Sequence, residues 1–322
     1  MDSTGALLTG PRAQRAFALR VCLSAGWRLR IDDGSALCLL VPVRGALEVR
    51  FDDGQTARAE PGEVLLLRGP DPYHAYDDAA APLLAEIRAD GGCYAPDGTL
   101  VRDLLALGVR TWGTDADGST EFVTATYARS NEVGARLVEA LPRCLLVAGH
   151  EFDWPIPELL HRELATTSAG QDVVVDRLLD LLLLGAVRAW SRGFPDAPAW
   201  AGAADDPVAR GALAALHHNP AYPWTVESLA RHVGVSRAVL ARRFTDAVGE
   251  PPMGYLTGWR IGLAADLLIE GEHTLERIAH EVGYASAFAL SAAFKRVKGM
   301  SPRQFRALSD PRGRGATSAA GG

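Results

Sequence analysis

The 322-residue sequence contains few cysteines, no long apolar run and no excess of positive charge. Its four cysteines (Cys22, Cys38, Cys93 and Cys144) are widely spaced and form no Cys-x-x-Cys pair, which argues against a disulfide scaffold and against a thiolate zinc site. The longest apolar run, Leu181 to Val187, is much shorter than the roughly 20 residues of a membrane-spanning helix. The N-terminus also lacks a signal-peptide pattern. We therefore expect a cytoplasmic protein with reduced thiols.

The charge is unevenly distributed along the chain. The net charge of −6 argues against a uniformly basic nucleic-acid-binding protein. However, residues 207–322 carry 14 Lys and Arg against 9 Asp and Glu, whereas residues 1–206 carry 19 against 30. This split indicates that only the C-terminal part contacts a polyanion.

The N-terminal half is predicted to be rich in strands and to end in helices. Leu37–Val43, Ala46–Phe51 and Val64–Arg68 are short runs rich in Val and Leu, separated by turn signals, and many such strands are typical of a sandwich or small barrel. Helices are predicted over Trp154–Ala165 and Asp172–Trp190. The second is so apolar that it belongs either to the core or to a subunit interface.

The C-terminal part contains an internal repeat, which is the most informative feature of the sequence. Thr225–Ala230 is repeated as Thr274–Ala279, and Gly234 as Gly283. After one extra residue the correspondence continues in four further pairs, namely Ser236 with Ser286, Phe244 with Phe294, Gly249 with Gly299, and Pro252 with Pro302. The repeat predicts two copies of one structural unit.

Each copy has the pattern of a helix-turn-helix. A Thr caps a short helix, a Gly takes the left-handed conformation that ends it, and a Ser caps the next helix. Between the copies, Pro252–Glu270 predicts a helix of about 28 Å. This length approaches the 34–36 Å of one DNA turn, so both second helices can reach successive major-groove segments. A plain bundle with a duplicated hairpin is the alternative, but it has no reason to repeat the Gly-then-Ser turn.

Two stretches of the sequence resemble one family. The run from Ile278 to Arg306 resembles the signature of the AraC/XylS family of bacterial transcriptional regulators, and the resemblance extends over residues 208–306. Pro61–His74 resembles the cupin-type sensor half found before this domain in one subgroup, and Asp176–Leu184 resembles the helical pair that closes it.

The resemblance implies an α+β multidomain fold. The N-terminal part is expected to be a cupin-like β-barrel or sandwich with a helical dimerisation segment, and the C-terminal part an all-α double helix-turn-helix. The predicted boundaries are 1–191 for the sensor and dimerisation domain, 192–206 for a linker, 207–308 for the DNA-binding domain and 309–322 for a disordered tail.

The predicted DNA contacts differ between the two copies. After Ser236, the exposed positions Arg237, Ala238, Ala241 and Arg242 coincide with the base-contacting positions of the family. Arg242 and Arg237 can each make a bidentate contact to guanine, worth about 1–3 kcal/mol of discrimination. Arg243 is expected to meet phosphate or solvent.

The second copy offers no bidentate donor. Its predicted contact residues are Ser286, Ala287, Phe288, Ser291, Ala292 and, on the phosphate backbone, Lys295, Arg296 and Lys298. Arg303 and Arg306 are further candidates for phosphate contact, although Arg306 is equally compatible with a structural ion pair. We expect weaker direct readout in this copy.

The sensor half is not predicted to hold a metal or another cofactor. His74 is the only histidine before His150, so the histidine cluster of a cupin enzyme cannot form. A small effector is instead expected in the barrel mouth, lined by Trp27, Arg28, Arg30, Tyr73, His74 and Tyr76.

Redox sensing is the competing hypothesis for the sensor half. Cys22–Trp27 resembles the segment that holds a reactive cysteine in hypochlorite-responsive regulators of this subgroup, and Arg20 is a candidate for lowering the Cys22 pKa. The strand expected to carry the partner cysteine, Phe122–Tyr127, has none. A disulfide of Cys22 would therefore need Cys38, Cys93 or Cys144.

We therefore interpret the chain as a DNA-binding transcriptional regulator and not as an enzyme. The expected partners are double-stranded promoter DNA, a second copy of the chain, a small effector and RNA polymerase; no membrane partner is expected. One alternative is a cupin enzyme or small-molecule carrier with an incidental helical tail. Another is an adaptor whose Phe288 contacts polymerase instead of bases.

Overall fold

The computed structural model describes residues 16–127, 138–193, 206–271 and 273–309. These residues fall into two compact units, a strand-rich one up to residue 193 and a helical one from residue 206. The predicted tail apart from residue 309, and the predicted linker apart from residues 192, 193 and 206, lie outside the described residues.

Thirteen strands in the described ranges form two sheets that pack face to face. The strands are β1 (Ala16–Leu23), β2 (Arg28–Asp32), β3 (Leu37–Arg44), β4 (Leu47–Phe51), β5 (Thr56–Ala59), β6 (Val64–Arg68), β7 (Tyr73–Tyr76), β8 (Ala85–Arg88), β9 (Cys93–Tyr94), β10 (Ala106–Gly108), β11 (Thr111–Gly113), β12 (Thr120–Tyr127) and β13 (Cys144–Val147). One sheet has the order β10-β11-β1-β12-β3-β6-β13, and the other β5-β4-β7-β2-β8-β9. The predicted sandwich architecture is confirmed.

Side-chain alternation explains why the two sheets pack together. In β4, Leu47, Val49 and Phe51 are buried while the residues between them are partly exposed. The same period of two gives each sheet an apolar inner face, and the two faces share one core. Within it, Trp27, which precedes β2, stacks on Phe122 of β12 with ring centroids 5.6 Å apart.

Helices α1 (Ile156–Ala165) and α2 (Gln171–Gly193) pack on the seven-stranded sheet. The Tyr127 hydroxyl donates to the Leu179 carbonyl of α2 over 3.1 Å. Because this sheet has the core on one face and helices on the other, β3 has six consecutive buried residues, an apolar run typical of a strand covered on both sides.

A buried carboxylate joins the helical layer to this sheet. Glu121 of β12 accepts hydrogen bonds from Arg20 of β1 and Arg44 of β3, both at 2.5 Å, and its Oε1 lies 2.7 Å from His161 Nε2 of α1. Burial alone would raise the pKa of Glu121, but these hydrogen bonds outweigh it and lower the pKa to about 2. Glu121 is therefore ionised and ties β1, β3 and α1 to its own strand, β12.

The helical unit contains seven helices within the described residues. They are α3 (Pro207–His218), α4 (Val226–His232), α5 (Arg237–Val248), α6 (Pro252–Glu270), α7 (Leu275–Glu281), α8 (Ala287–Lys298) and α9 (Pro302–Ser309). Helix α6 has the bounds expected from the sequence.

Helix α6 contributes to two separate hydrophobic cores. Its first half supplies Tyr255, Leu256 and Trp259 to the core formed with α3, α4 and α5. Its second half supplies Ile261 and Leu268, among others, to the core formed with α7 and α8. The two repeats are therefore built on one continuous helix.

A buried histidine lies in the first of these cores. His217 Nε2 is 2.7 Å from the Tyr255 hydroxyl, and its ring centroid is 4.0 Å from that of Trp259. Burial lowers the pKa of His217 to about 4, because the imidazolium would lose its hydration there.

Acidification should therefore destabilise the helical unit. The unfolded chain takes up a proton at His217 near pH 6.5, whereas the folded chain takes it up only near pH 4. Between pH 7.5 and pH 5 we expect a loss of about 2 kcal/mol in the free energy of opening α3 and α6, measured by hydrogen exchange. His217→Gln should reduce this dependence, and the exposed control His218→Gln should keep it. Protection in wild type that is unchanged over this range would contradict the account.

Candidate nucleic-acid interface

The predicted duplication is confirmed in the helical unit. Each copy has a seven-residue helix followed by a twelve-residue helix, α4 and α5 in the first copy and α7 and α8 in the second. The first helix begins at a threonine whose Oγ1 accepts an amide, Ser228 N at 3.0 Å from Thr225 and Arg277 N at 3.3 Å from Thr274. Gly234 and Gly283 then turn the chain with φ of 72° and 84°.

The second helix of each copy begins at the serine cap that the sequence predicts. The Ser236 hydroxyl accepts from Val239 N at 3.3 Å, and the Ser286 hydroxyl accepts from Ala289 N at 3.2 Å. Such caps stabilise a helix by about 1 kcal/mol each. Gly249 and Gly299 end the helices in the left-handed conformation. Both serines are therefore structural, whatever else they contact.

Helix α5 presents an exposed face with two arginines. Arg237, Ala238 and Arg242 are exposed and Ala241 is half-buried. The opposite face buries Leu240, Phe244 and Val248 in the core. Neither Arg237 nor Arg242 forms an ion pair with a described carboxylate, so both guanidinium groups are available to a ligand.

Arg243 does not have the phosphate or solvent role expected from the sequence. Its Nε lies 2.7 Å from Oδ2 of Asp206, which caps α3 by accepting from Val208 N and Ala209 N at 2.8 and 2.9 Å. Arg243 therefore fastens α5 to the start of α3. Its partner is 37 residues away, so local sequence patterns gave no signal for this pair.

Helix α8 has alanines, Ala287 and Ala292, at the positions that Arg237 and Arg242 hold in α5. Phe288 is 85% exposed, and Ala287 and Ser291 are half-buried. Ala292 and, towards the C-terminal end of the helix, Lys295 and Arg296 are also exposed. This face therefore carries methyl, phenyl and hydroxyl groups, followed by positive charge.

The two flanking arginines of the second copy have different surroundings. Arg303 is exposed, whereas Arg306 donates from Nη2 to the His273 carbonyl over 2.8 Å. Arg306 thus ties α9 to the chain before α7 through a carbonyl and not through the ion pair considered from the sequence. Arg260 of α6 is another half-buried arginine that donates to backbone carbonyls, and sequence reasoning missed it although it interrupts a largely apolar helix.

The predicted effector residues do not line one cavity. Trp27 and Tyr73 are buried in the sandwich core, where the Tyr73 hydroxyl donates to Cys38 Sγ over 3.3 Å. Adjacent side chains of a strand point to opposite faces of the sheet, so Tyr73 and His74 lie on different surfaces. This alternation was available in the sequence. The outer face of the six-stranded sheet instead carries Arg28, Arg30, His74 and Tyr76.

The outer face of that sheet concentrates arginines around His74. Arg30 of β2 and Arg50 of β4 lie directly opposite His74 of β7, and Arg28 lies opposite Tyr76. Burial and these three arginines lower the pKa of His74. Arg30 is ion-paired with Asp52 and Glu86, both at 3.4 Å, and the Tyr76 hydroxyl donates to Glu48 over 2.5 Å. Neither Arg28 nor Arg50 forms an ion pair with a described carboxylate.

Cys22 lies on the opposite side of its sheet from the other cysteines. Its neighbours Val21 and Leu23 point into the sandwich core, so Cys22 faces the side that carries α1. Cys38 and Cys93 are members of that core, and Cys144 packs against it. None of the three can reach Cys22 without rearrangement of the sheet.

The environment of Cys22 disfavours its thiolate. The residue is fully buried, and this burial raises the pKa of the Cys22 thiol despite the nearby guanidinium of Arg20. A reactive sensor cysteine requires the opposite shift.

Cys22 should therefore react slowly in the native protein. At pH 7.5 we expect iodoacetamide to label Cys22 at least about tenfold more slowly than in the guanidinium-unfolded chain, measured by peptide mass spectrometry. Equal rates in the two states would contradict this expectation and favour redox sensing.

The described part of the chain contains neither a candidate metal-binding cluster nor a candidate membrane-spanning helix. Its side chains include no group of three or more His, Cys, Asp or Glu that could hold a metal ion. Its helices include none that is long and apolar enough to cross a bilayer.

Comparison with known proteins connects both units to characterised families. A cupin family model matches residues 4–192, and a helix-turn-helix domain model matches residues 229–308. An AraC-like transcription regulator of Streptomyces antibioticus is 47% identical over 150 residues, which is 46% of this chain and 48% of that protein. The chain thus spans about half the length of this relative.

Two further relatives match more of their own length. The HTH-type transcriptional regulator AlkR of Acinetobacter baylyi is 29% identical over 317 residues, 95% of this chain and 99% of the relative. RclR of Escherichia coli, an RCS-specific HTH-type transcriptional activator, is 30% identical over 197 residues, 59% of this chain and 69% of the relative. The cupin match covers more than half of the chain, and the second match contains most of the duplicated helical pairs. The chain therefore belongs to the AraC/XylS family of transcriptional regulators, with an N-terminal cupin domain and a C-terminal helix-turn-helix domain.

Proposed function

We propose that the protein is a cytoplasmic transcriptional regulator that binds promoter DNA with its helical unit and senses a signal with its cupin unit. The observation that carries this proposal is the duplicated helix-turn-helix with Arg237 and Arg242 exposed on α5. The similar proteins of known name are regulators and not enzymes.

The two recognition helices divide the work of binding. Arg242 and Arg237 on α5 donate to guanine O6 and N7 in the major groove and so carry most of the base discrimination. On α8, Phe288 and the methyl of Ala287 contact thymine methyl groups, and Ser291 offers one hydroxyl. Lys295 and Arg296 contact phosphates, which position the protein without reading sequence.

We further propose that α2 joins two copies of the chain. Val174, Leu178 and Leu181 follow one another at spacings of four and three, which places them on one face of the helix. Val174 is 43% and Leu181 36% exposed, while the other face of α2 is buried in its own unit. An exposed apolar stripe of this kind is typical of a helix that packs against a second copy.

The signal is proposed to be a small anion and not an oxidant. Arg28, His74 and Tyr76 lie together on the arginine-rich outer face of the six-stranded sheet, where Arg28 Nε and His74 Nδ1 are buried without a described partner. The proposed ligand is a carboxylate or phosphate bound among these arginines, since the arginine fork suits planar anions. The raised pKa of the Cys22 thiol weighs against oxidation as the signal.

RNA polymerase is a further proposed partner. Phe288 is the most exposed of the large apolar side chains in the described residues. On promoters that place no thymine methyl opposite Phe288, its phenyl ring is proposed to contact the polymerase instead.

Removal of Arg242 should weaken and broaden DNA recognition. The test DNA is the region upstream of the protein's own gene, or a duplex obtained by site selection. On this DNA, Arg242→Ala should lose about 1–3 kcal/mol of binding free energy and the preference for one base at one position. Wild-type affinity should fall steeply with salt, since the phosphate contacts release counterions. Titrations at two salt concentrations measure both effects.

Arg243→Ala is the matched control. The neighbouring arginine is held by Asp206, so its removal should lower the thermal stability of the protein and leave the base preference intact. Wild-type protein that binds no duplex better than random DNA would contradict the proposed function and favour the cupin enzyme or carrier.

A charge on the α2 stripe should separate the two copies. Leu181→Glu should convert the dimer to a monomer in analytical ultracentrifugation, because the carboxylate cannot be buried against an apolar partner. The control is Leu100→Glu, which changes a leucine that is 53% exposed outside α2. A dimer that survives Leu181→Glu would place the interface elsewhere.

A further inference from the structure

Arg260 lies where α6 passes from one hydrophobic core to the other. The preceding residue, Trp259, belongs to the core of the first copy, and the following residue, Ile261, belongs to the core of the second. The Arg260 side chain itself is half-buried. A charged group at this junction contacts both copies at once.

The contacts of Arg260 join a loop of the first copy to the turn of the second. Its Nε donates to the Pro220 carbonyl over 2.7 Å, and its Nη2 donates to the Tyr222 carbonyl over 2.8 Å. Its guanidinium carbon lies 5.8 Å from the ring centroid of Tyr284, which follows the turn glycine of the second copy. One planar group therefore holds two carbonyls and lies near an aromatic ring.

The loop that Arg260 holds is fastened to the helices of the first copy. Tyr222 N donates to the Asn219 side chain over 3.2 Å, and Trp224 Nε1 donates to the Asn219 carbonyl over 3.0 Å. The Trp224 ring meets the ring of His232, the last residue of α4, with centroids 5.5 Å apart. The loop therefore moves with α3 and α4.

The turn glycines of the two copies have different surroundings. A Cβ at Gly283 would lie 2.7 Å from Ala221 Cα and 2.9 Å from Arg260 Nη2. A Cβ at Gly234 would meet nothing within 4 Å. Both residues have positive φ, so only the close approach distinguishes them. The second turn is thus pressed against the loop of the first copy.

We propose that Arg260 is a positioning residue that fixes the orientation of α8 relative to α5, and thereby the separation of the two DNA segments that one chain accepts. This inference rests on the proposed function. Beyond that function, the inference names the residue that sets the spacing between the two contacted DNA segments.

The geometry of DNA explains why the orientation matters. One added base pair moves a segment by about 3.4 Å along the axis and rotates it by about 34°. A rigid pair of reading helices tolerates neither change, because the second helix then no longer faces its groove. A flexible pair tolerates both, but gains less from its second contact since it is not preorganised.

The test uses the full-length protein and a set of duplexes. The segments contacted by α5 and α8 are first located by site selection and footprinting with wild type. Duplexes with one base pair added or removed between the segments are then titrated. Wild type should lose at least about tenfold in affinity for each change of spacing.

Arg260→Ala should bind the optimal duplex about tenfold more weakly and should discriminate among the spacings by less than about threefold. Arg260→Lys keeps the charge but cannot reproduce the planar contacts, so it should behave similarly while remaining folded. Binding to a duplex that holds only the α5 segment should be unchanged in both variants. A variant that keeps the wild-type spacing discrimination would overturn the proposal.

The two turn glycines give an independent comparison. Gly283→Ala and Gly234→Ala introduce the same strained backbone, but only the methyl group added at Gly283 would collide with the loop. Gly283→Ala should therefore relax the spacing preference, and Gly234→Ala should not.

Equal spacing discrimination in the two glycine variants would also overturn the proposal. Wild type that binds a selected site without any spacing preference would do the same. Wild type that selects no sequence at all would instead contradict the proposed function on which the inference rests.

Discussion

Neither helix-turn-helix copy completes its core until α6 packs against it. Tyr255, Leu256 and Trp259 close one core, and Ile261, Ala264 and Leu268 close the other. Each copy alone is much smaller than the roughly 40 residues below which a domain needs extra support. The shared helix therefore stabilises both copies and at the same time fixes the distance between them, which is the property that DNA reading requires.

The two copies have the same backbone structure but different exposed side chains. The caps, glycine turns and helix lengths of the two copies correspond, so both second helices are presented in the same way. Their exposed faces differ, since α5 carries Arg237 and Arg242 while α8 carries Phe288 at the corresponding end. This difference supports the proposal that α5 reads bases while α8 holds the protein in place.

Local signals in the sequence predicted much of this architecture. Pro252 and Glu270 bound α6, Val64–Arg68 is a strand, and Ser236 and Ser286 cap their helices, because caps, breakers and apolar period act within a few residues.

Contacts between distant residues were not predictable in this way. Arg243 pairs with Asp206, and Arg260 reaches carbonyls about 40 residues away, so neither leaves a local pattern. The effector pocket predicted from the sequence was wrong for a different reason. Tyr73 and His74 are adjacent in sequence but point to opposite faces of a strand, so a pocket drawn from a run of residues combines two surfaces.

The most direct test of the account is a site selection from randomised duplex DNA with the full-length protein, followed by comparison of base preference at each position. The account predicts one strongly specified block, read by α5, and a weakly specified block about one helical turn away at constant spacing. Two blocks of equal strength, or blocks at variable spacing, would contradict the proposed division between the two copies and their rigid coupling.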